Sequence, residues 1–244
     1  MNRLRAVWRL LRTWLHGVHG LLWAVLRCPQ LDLPARHRFI GWWAAEVLRK
    51  MGLRLVVEGG FRPGAKLVVA NHVSWIDIMA INAACPEARF VSKADVQRWP
   101  LINRLVAAGG TLFIERERPR DAMRVVHQMA EAMQAGDTVA VFPEGTTGDG
   151  VTLLPFHANL LQAAIATATP VQPVALRFSD ARHANSPAVV FLGKTTLLQS
   201  MWRLACAQGL QVRLRVLPAQ GTAHADRRAL AERLRGLIAE ALVD

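Results

Sequence analysis

The fold is decided by residues 66–77, which read Lys-Leu-Val-Val-Ala-Asn-His-Val-Ser-Trp-Ile-Asp. After the lysine comes an apolar run with the length and composition of a buried β-strand. Polar, turn-forming residues follow, and a helical pattern begins at Ile76. A strand that passes through a short turn directly into a helix is the building unit of α/β sheets, so this stretch predicts an α/β fold.

The alternation of strands and helices continues through residues 53–244. Strands are predicted at Leu53–Glu58, Lys66–Ala70, Arg89–Ser92, Thr111–Glu115, Thr138–Phe142, Val171–Phe178, Ala188–Leu192 and Gln211–Leu217. Helices are predicted at Ile76–Ala84, Pro100–Ala108, Pro119–Ala135, His157–Thr169, Thr195–Ala207 and Ala225–Leu242. This pattern favours a mixed, mostly parallel sheet flanked by helices, and we expect residues 53–244 to form one α/β domain.

Residues 1–52 differ and predict an N-terminal amphipathic helical hairpin. A helix over residues 2–27 would carry apolar side chains along one face: Leu4, Val7, Trp8, Leu11, Trp14, Leu15, Val18, Leu22 and Val25. Basic side chains and histidines would gather on another face: Arg5, Arg9, Arg12, His16, His19 and Arg27. After a break from Cys28 to Pro34, a second helix is predicted over Pro34–Met51.

The charge of the chain is concentrated in this hairpin. The 244 residues carry a net charge of +12 and are 52% hydrophobic, which excludes an intrinsically disordered chain. Residues 1–54 hold ten basic and two acidic residues, hence +8, together with five of the eight tryptophans. Tryptophan with arginine is typical of membrane–water interfaces, so an anionic membrane surface is the expected partner. Nucleic acid is not expected, because residues 55–244 carry only +4.

Two interpretations of the hairpin stay open at this stage. Either it docks on the membrane surface, or both helices pack on the domain and leave a solvated basic face. The longest run without charged residues, Thr13–Leu26, is shorter than the ~20 residues of a spanning helix, and no signal-peptide cleavage site follows. The three cysteines are far apart, which fits a reducing compartment. We therefore expect a peripheral or monotopic protein at the cytoplasmic face of the cell membrane.

Candidate catalytic groups follow the strand at residues 66–70. In α/β sheets ligands bind at the carboxyl ends of strands, and His72 leaves the sheet at such an end. Asp77 can hold one imidazole nitrogen only if His72 lies before the helix that carries Asp77. The strand-to-helix turn allows this arrangement. The other imidazole nitrogen is then free to act as a general base. The alternatives are a half-buried loop histidine and an aspartate favoured by the helix dipole.

Two other strand ends offer polar groups. Arg116 follows the strand at 111–115, although it also belongs to a charge run that could be merely solvated. Residues 142–150, Phe-Pro-Glu-Gly-Thr-Thr-Gly-Asp-Gly, let the backbone approach a ligand closely, although a Gly-rich turn explains them too. A serine-hydrolase elbow, a complete Walker A motif and an H-E-x-x-H zinc motif are all missing from the sequence.

These residues resemble four sequence blocks of the glycerolipid acyltransferase family, which includes the 1-acylglycerol-3-phosphate acyltransferases. Asn71-His-Val-Ser-Trp-Ile-Asp77 is similar to its N-H-x-S-x-x-D block, and Gly110-Thr-Leu-Phe-Ile-Glu-Arg116 to its second block. Phe142-Pro-Glu-Gly-Thr146 resembles the third block, and Val171-Gln-Pro-Val174 the proline-containing fourth. The blocks occur in the family's order over residues 71–174.

The resemblance implies an O-acyltransferase with a lysolipid acceptor, most simply 1-acyl-sn-glycerol-3-phosphate. His72, oriented by Asp77, would deprotonate the lysolipid hydroxyl as it attacks the thioester of acyl-CoA or acyl-carrier protein. No metal and no resident cofactor would be needed, because the acyl thioester is a co-substrate. By analogy Arg116, Ser74 and the third-block residues Glu144, Gly145 and Thr146 would bind substrate, with Arg116 pairing to phosphate.

One departure concerns the acceptor. Phosphatidate-forming members of the family often have Arg directly after F-P-E-G-T, whereas this chain has Thr147 followed by Gly148-Asp-Gly150. That continuation is similar to the branch that acylates lyso-ornithine lipid, which is the second expected acceptor. Asp149 would then face a cationic head group or simply form a turn. A non-catalytic membrane-binding module is the alternative of another class.

Overall fold

The computed structural model describes residues 2–93, 109–114 and 119–243, and its helices and strands alternate as the sequence predicts. The helices are α1 (Asn2–Leu26), α2 (Leu33–Met51), α3 (Ile76–Ala84), α4 (Pro119–Gln134), α5 (Gln162–Ala166), α6 (Leu197–Cys206) and α7 (Arg227–Val243), with short 3-10 helices at Cys28–Gln30 and Ala158–Leu161. The strands are β1 (Leu53–Glu58), β2 (Lys66–Ala70), β3 (Ala88–Lys93), β4 (Leu112–Ile114), β5 (Thr138–Val141), β6 (Val171–Ser179) and β7 (Leu210–Val216). The helix predicted at Pro100–Ala108 lies outside the described residues.

The described strands form one sheet in the order β1-β7-β6-β2-β5-β3-β4. Neighbouring strands are parallel in every pair except β6 with β7. The predicted α/β fold with a mixed, mostly parallel sheet is therefore confirmed. Because β2 lies between β5 and β6, the carboxyl ends of these three parallel strands meet at one edge of the sheet.

Helices cover both faces of the sheet and create two apolar cores. One core joins Val68 and Ala70 of β2 to α2, α3 and α6. The other joins Leu67 and Val69 of the same strand to α4, α5 and α7. Successive side chains of β2 thus enter opposite cores, which is why the strand has a continuous apolar sequence rather than an alternating one.

The predicted strand at Ala188–Leu192 does not form. Its residues are a turn and extended chain outside the sheet. The Phe191 N–H donates to the carbonyl of Val73 (3.3 Å), and the Phe191 carbonyl accepts from the Thr147 hydroxyl. The backbone groups of this β-branched run therefore bond to two loops at the end of β2 and β5, instead of to a neighbouring strand.

Helix α1 packs on the domain through the face opposite its apolar stripe. All nine residues of its apolar stripe are 37–80% exposed, with Leu4 at the upper limit. The contact with the domain is made by small or polar residues instead, among them Ala6, Thr13 and His16, which are buried. In the interpretation in which both helices pack on the domain and leave a solvated basic face, α1 differs in one respect: it packs on the domain, but Arg9 bonds inward and the apolar stripe is left exposed.

Polar groups on the inner face of α1 are satisfied by carbonyl oxygens. Arg9 Nη1 donates to the carbonyls of Ala205 (3.0 Å) and Ala207 (2.8 Å) at the end of α6. His16 Nε2 lies 3.0 Å from the Trp43 carbonyl, and Trp43 Nε1 donates to the His16 carbonyl (3.1 Å). These bonds allow polar side chains to pack inward. Among the helices that the structure describes, none has the length and apolarity needed to cross a bilayer.

Candidate active site

The candidate site lies where β2 passes into α3, at the carboxyl edge of the parallel strands. All five residues of β2 are buried. The buried Asn71 side chain then forms two hydrogen bonds with the β6 backbone: its Nδ2 donates to the Leu176 carbonyl (2.9 Å), and its Oδ1 accepts from the Leu176 N–H (2.7 Å). This clamp fixes where the chain leaves the sheet, and therefore where His72 stands.

His72 and Asp77 are in direct contact. His72 Nδ1 lies 2.8 Å from Asp77 Oδ2, and the same oxygen accepts the backbone N–H groups of Val73 (2.6 Å) and Ser74 (2.9 Å). The Asp77 side chain is fully buried, whereas that of His72 is 19% exposed. Because an ionised carboxylate only accepts hydrogen bonds, Nδ1 is the donor and Nε2 keeps a free lone pair.

The His72 ring is also held from its face by an aromatic side chain. It stacks on Phe142, with ring centroids 4.0 Å apart and planes 10° from parallel. Phe142 directly follows β5, and its ring in turn stacks near Phe90 of β3 at 5.8 Å. Nε2 of His72 has no hydrogen-bond partner among the described residues, so the imidazole is fixed by its face and by Nδ1 while its second nitrogen stays available.

Glu144 joins the His72 turn to the loop that follows β5. Its Oε1 accepts the His72 N–H (2.7 Å), and its Oε2 accepts the Leu154 N–H (2.9 Å). The residue is only 5% exposed. Burial raises the pKa of Glu144, and the two backbone donors oppose that rise. Both carboxylate oxygens are thus bonded to backbone, which makes Glu144 a brace between two loops.

Gly145 is required by the shape of the same loop. Its φ of +70° lies in the left-handed region, and a Cβ there would stand 2.9 Å from Cδ2 of His157. Three residues later, the Gly148 N–H donates to the His72 carbonyl (2.7 Å). From Glu144 to Gly148 the loop is therefore bonded to the turn that carries His72.

The remaining predicted site residues are Thr146, Ser74 and Arg116, and they differ in how exposed they are or in whether the structure describes them. Thr146 is exposed on this loop. Ser74 is completely buried, and its Oγ has no hydrogen-bond partner within the part of the chain that the structure describes, so it lies beneath the turn rather than on its open side. Arg116 lies outside the described residues.

Phe142 and Asn71 also contribute to the site, although no role was predicted for either of them from the sequence. A sequence signal existed for Asn71, because a polar side chain directly after a fully apolar strand needs partners at the sheet edge. The stacking of Phe142 on His72 has no such signal, since an aromatic residue at the end of a buried strand is most simply part of the core.

Known proteins resemble this chain in sequence and in fold. The model of the family described as Acyltransferase matches residues 54–177. The lyso-ornithine lipid O-acyltransferase of Pseudomonas aeruginosa is 35% identical over 86% of this chain and 83% of its own length. The 1-acyl-sn-glycerol-3-phosphate acyltransferase of Neisseria meningitidis is also 35% identical, over 80% of this chain and 76% of its own.

A solved structure supports the architecture. The crystal structure of the 1-acyl-sn-glycerophosphate acyltransferase from Thermotoga maritima superposes with a TM-score of 0.78, covering 100% of this chain and 97% of that one. The two sequences are 20% identical, so the likeness is one of fold.

Proposed function

We propose, from the premise that this chain belongs to the acyltransferase family and acylates lysolipids, that its acceptor is 1-acyl-sn-glycerol-3-phosphate. The donor is acyl-CoA or acyl-carrier protein, and the product is phosphatidate. The reaction takes place at the cytoplasmic face of the membrane. The single observation that carries the chemistry is the 2.8 Å contact between His72 Nδ1 and Asp77 Oδ2, with Nε2 left open.

His72 acts as the general base in the proposed mechanism. Nε2 takes the proton of the acceptor hydroxyl as that oxygen forms a bond to the thioester carbonyl carbon. The buried Asp77 carboxylate stabilises the resulting imidazolium through Nδ1–H. When the tetrahedral intermediate collapses, the C–S bond breaks and the proton on Nε2 passes to the thiolate. The steps use the chain's own side chains and no resident cofactor or metal.

The loop after β5 forms a wall beside this base and supports acceptor binding there. Glu144 and Gly148 tie it to the His72 backbone, and Thr146 is exposed on it. Arg116 is proposed as the partner of the acceptor phosphate, by analogy with the family's second block. The family resemblance implies a substrate contact for Glu144; we propose that it instead positions this loop, because both of its carboxylate oxygens accept backbone N–H groups.

The exposed stripe of α1 is the proposed membrane-docking surface. A row of apolar side chains that includes Trp8 and Trp14 faces away from the domain. Arg5 and Arg12 lie along its flank, about 100–120° from the middle of the stripe at ~100° per residue. Exposed apolar rows of this size, bordered by arginine, match the interfacial region of a bilayer with anionic lipid.

Lyso-ornithine lipid is the second candidate acceptor, and the loop after β5 favours it. The hydroxyl of Thr147 donates to the Phe191 carbonyl, at the position where phosphatidate-forming relatives often place arginine. Asp149 adds a negative charge two residues later and is exposed. A loop with this charge suits an acceptor that carries an amine better than a phosphate monoester.

Parallel acyl-transfer assays test the proposal. Purified protein is offered a radiolabelled acyl thioester with lysophosphatidate or with lyso-ornithine lipid, and the product is identified. We expect His72→Ala to abolish transfer while vesicle binding and the folding transition stay unchanged. His127→Ala is the matched control, because that side chain is 75% exposed on α4. Transfer that survives in His72→Ala overturns the mechanism, and no use of the thioester with either acceptor supports the non-catalytic alternative.

A further inference from the structure

A second apolar surface lies beside the catalytic turn, on α6 and the segment before it. The Phe191 N–H bonds to Val73, and the Phe191 carbonyl to Thr147. Further along, Trp75 Nε1 donates to Ser200 Oγ (3.1 Å) on α6. The segment 187–206 is therefore attached on its inner side to both loops that hold His72.

The outer side of this segment is apolar and exposed. Leu198 is 79% exposed and Trp202 is 40% exposed; they stand four residues apart, and therefore on one face of α6. Leu192, in the loop before the helix, is 41% exposed. The inner face of α6 is by contrast closed, because Ser200 and Leu204 are completely buried. The exposed apolar residues therefore lie together on the outer side of the segment. We call them the α6 patch: Leu192, Leu198 and Trp202.

The charged residues next to the α6 patch in the sequence are basic. Residues 187–206, which carry the patch, contain Lys194 and Arg203 and no aspartate or glutamate. Lys194 and Arg203, which border the patch, are exposed. Exposed apolar side chains with a tryptophan among them, next to two exposed cations, complement the interface of a bilayer that contains anionic lipid.

Helix α6 is also in contact with α1, through the inner face of α1 and not through its exposed stripe. Arg9 on the inner face of α1 bonds to Ala205 and Ala207 at the carboxyl end of α6, so the two helices are in contact. The order in space runs from α1 through α6 to Trp75 and the catalytic turn.

We propose that the α6 patch is a second membrane-contacting element, which seats the catalytic edge of the sheet on anionic bilayers. The inference rests on the proposed membrane docking by α1. The lysolipid acceptor then enters past Leu198 and Trp202 from within the lipid surface and reaches His72 without passing through water. Contact with the bilayer at α6 raises the rate with membrane-embedded acceptor and has no effect on the chemistry itself.

Vesicle binding and two forms of the activity assay test this proposal. The double variant Leu198→Gln/Trp202→Gln is compared with Met123→Gln, which changes a 76% exposed side chain on α4. Binding is measured with phosphatidylcholine vesicles that contain or lack phosphatidylglycerol. Activity is measured with the acceptor embedded in vesicles and dispersed in detergent micelles.

We expect the double variant to bind the anionic vesicles about tenfold or more weakly, since two apolar side chains lose their burial in lipid. Its rate should fall with embedded acceptor and stay unchanged in detergent, while Met123→Gln behaves as the unaltered protein. Equal vesicle binding by both variants overturns the proposal. The proposal is also overturned if light scattering shows that the unaltered protein is a dimer and the double variant a monomer, because the patch then binds a second copy of the chain. The binding readout is independent of acyl transfer, and Trp8→Gln/Trp14→Gln on α1 tests the premise separately.

Discussion

The backbone N–H of His72 donates to Glu144 Oε1 at 2.7 Å, across 72 positions of sequence. The other oxygen of Glu144 accepts the Leu154 N–H at 2.9 Å. The carboxylate therefore joins the His72 turn to the loop after β5. In the proposed mechanism its role is to position the backbone that carries His72.

Glu144→Gln should lower kcat by about ten- to a hundredfold and leave KM for the acceptor unchanged. A glutamine amide turns one N–H group toward a backbone N–H, and losing one such buried bond costs about 1–3 kcal/mol. Steady-state kinetics with both acceptors checks this. Glu131→Gln is the control, because its side chain is 61% exposed on α4. A raised KM with an unaltered kcat would instead support direct contact with substrate.

Asp77→Asn should reduce kcat by about a thousandfold or more. The asparagine amide no longer favours the tautomer with the proton on Nδ1, so Nε2 loses its role as base. The pH–rate profile and the thermal unfolding transition are to be measured together. The control Asp226→Asn keeps an acceptor for the N–H groups of Arg228 and Ala229 at the start of α7 and should leave both properties unaltered. Activity within tenfold of the unaltered enzyme would argue against the dyad.

The sequence correctly predicted those elements of the fold that are specified by residues close to one another in the chain. β2 and α3 begin and end at the predicted residues, because the apolar run and the turn after it specify both elements. The run at Ala188–Leu192 has the same strand-like composition, yet its backbone bonds to Val73 and Thr147. Those partners lie far away in sequence, and no periodicity within the run identifies them.

The candidate site was likewise predictable only where the contacts lie within a short stretch of sequence. The pairing of His72 with Asp77 was predictable, because it requires only one strand-to-helix turn. The brace role of Glu144 was not, since both of its partners are backbone groups that carry no residue-specific signal. The orientation of α1 was left open between two interpretations, because hydrophobic periodicity defines an apolar face but does not say whether protein or lipid covers it.

Gly145→Ala should destabilise the protein by about 1–2 kcal/mol and also lower its activity. A residue with a Cβ is strained at a φ of +70°, and the new methyl group would contact His157. Gly136→Ala is the matched control, because Gly136 has a φ of +95° and no atom of the described residues lies within 4 Å of the added Cβ. Urea unfolding should show a comparable loss of stability in the control, with normal acyl transfer. Equal loss of activity in both variants would mean that the effect is one of folding.

Stability should fall as the pH decreases below about 6.5, through His16. Burial against Trp43 lowers the pKa of His16, with Lys50 and His19 acting in the same direction, while the Trp43 carbonyl and Glu46 oppose them. The unfolded chain then binds a proton more readily than the folded one, so the contribution is complete above the unfolded pKa of about 6.5 and decreases toward the lower folded pKa.

His16→Gln should flatten this pH dependence. Glutamine keeps a donor for the Trp43 carbonyl and does not titrate. Urea unfolding at pH 7.5, 6.5 and 5.5 measures the slope, and His127→Gln on the surface of α4 should keep it. An unaltered slope in His16→Gln would assign the pH dependence to another group.

Asp149→Asn separates the two interpretations of Asp149. Its Oδ1 accepts the N–H groups of Val151 (2.8 Å) and Thr152 (2.9 Å), and these donors lower the pKa of the carboxyl. Asparagine can keep both bonds, so the turn survives while the charge is removed. If Asp149 only forms the turn, KM for both acceptors should stay within about twofold. If the charge attracts an amine, KM for lyso-ornithine lipid alone should rise, by about fivefold for the ~1 kcal/mol of an exposed ion pair.

Asp149→Ala is the companion variant, because it removes the charge and the turn together and should impair acyl transfer to both acceptors. A selective loss in Asp149→Asn would make lyso-ornithine lipid the preferred acceptor and would contradict the proposal of lysophosphatidate.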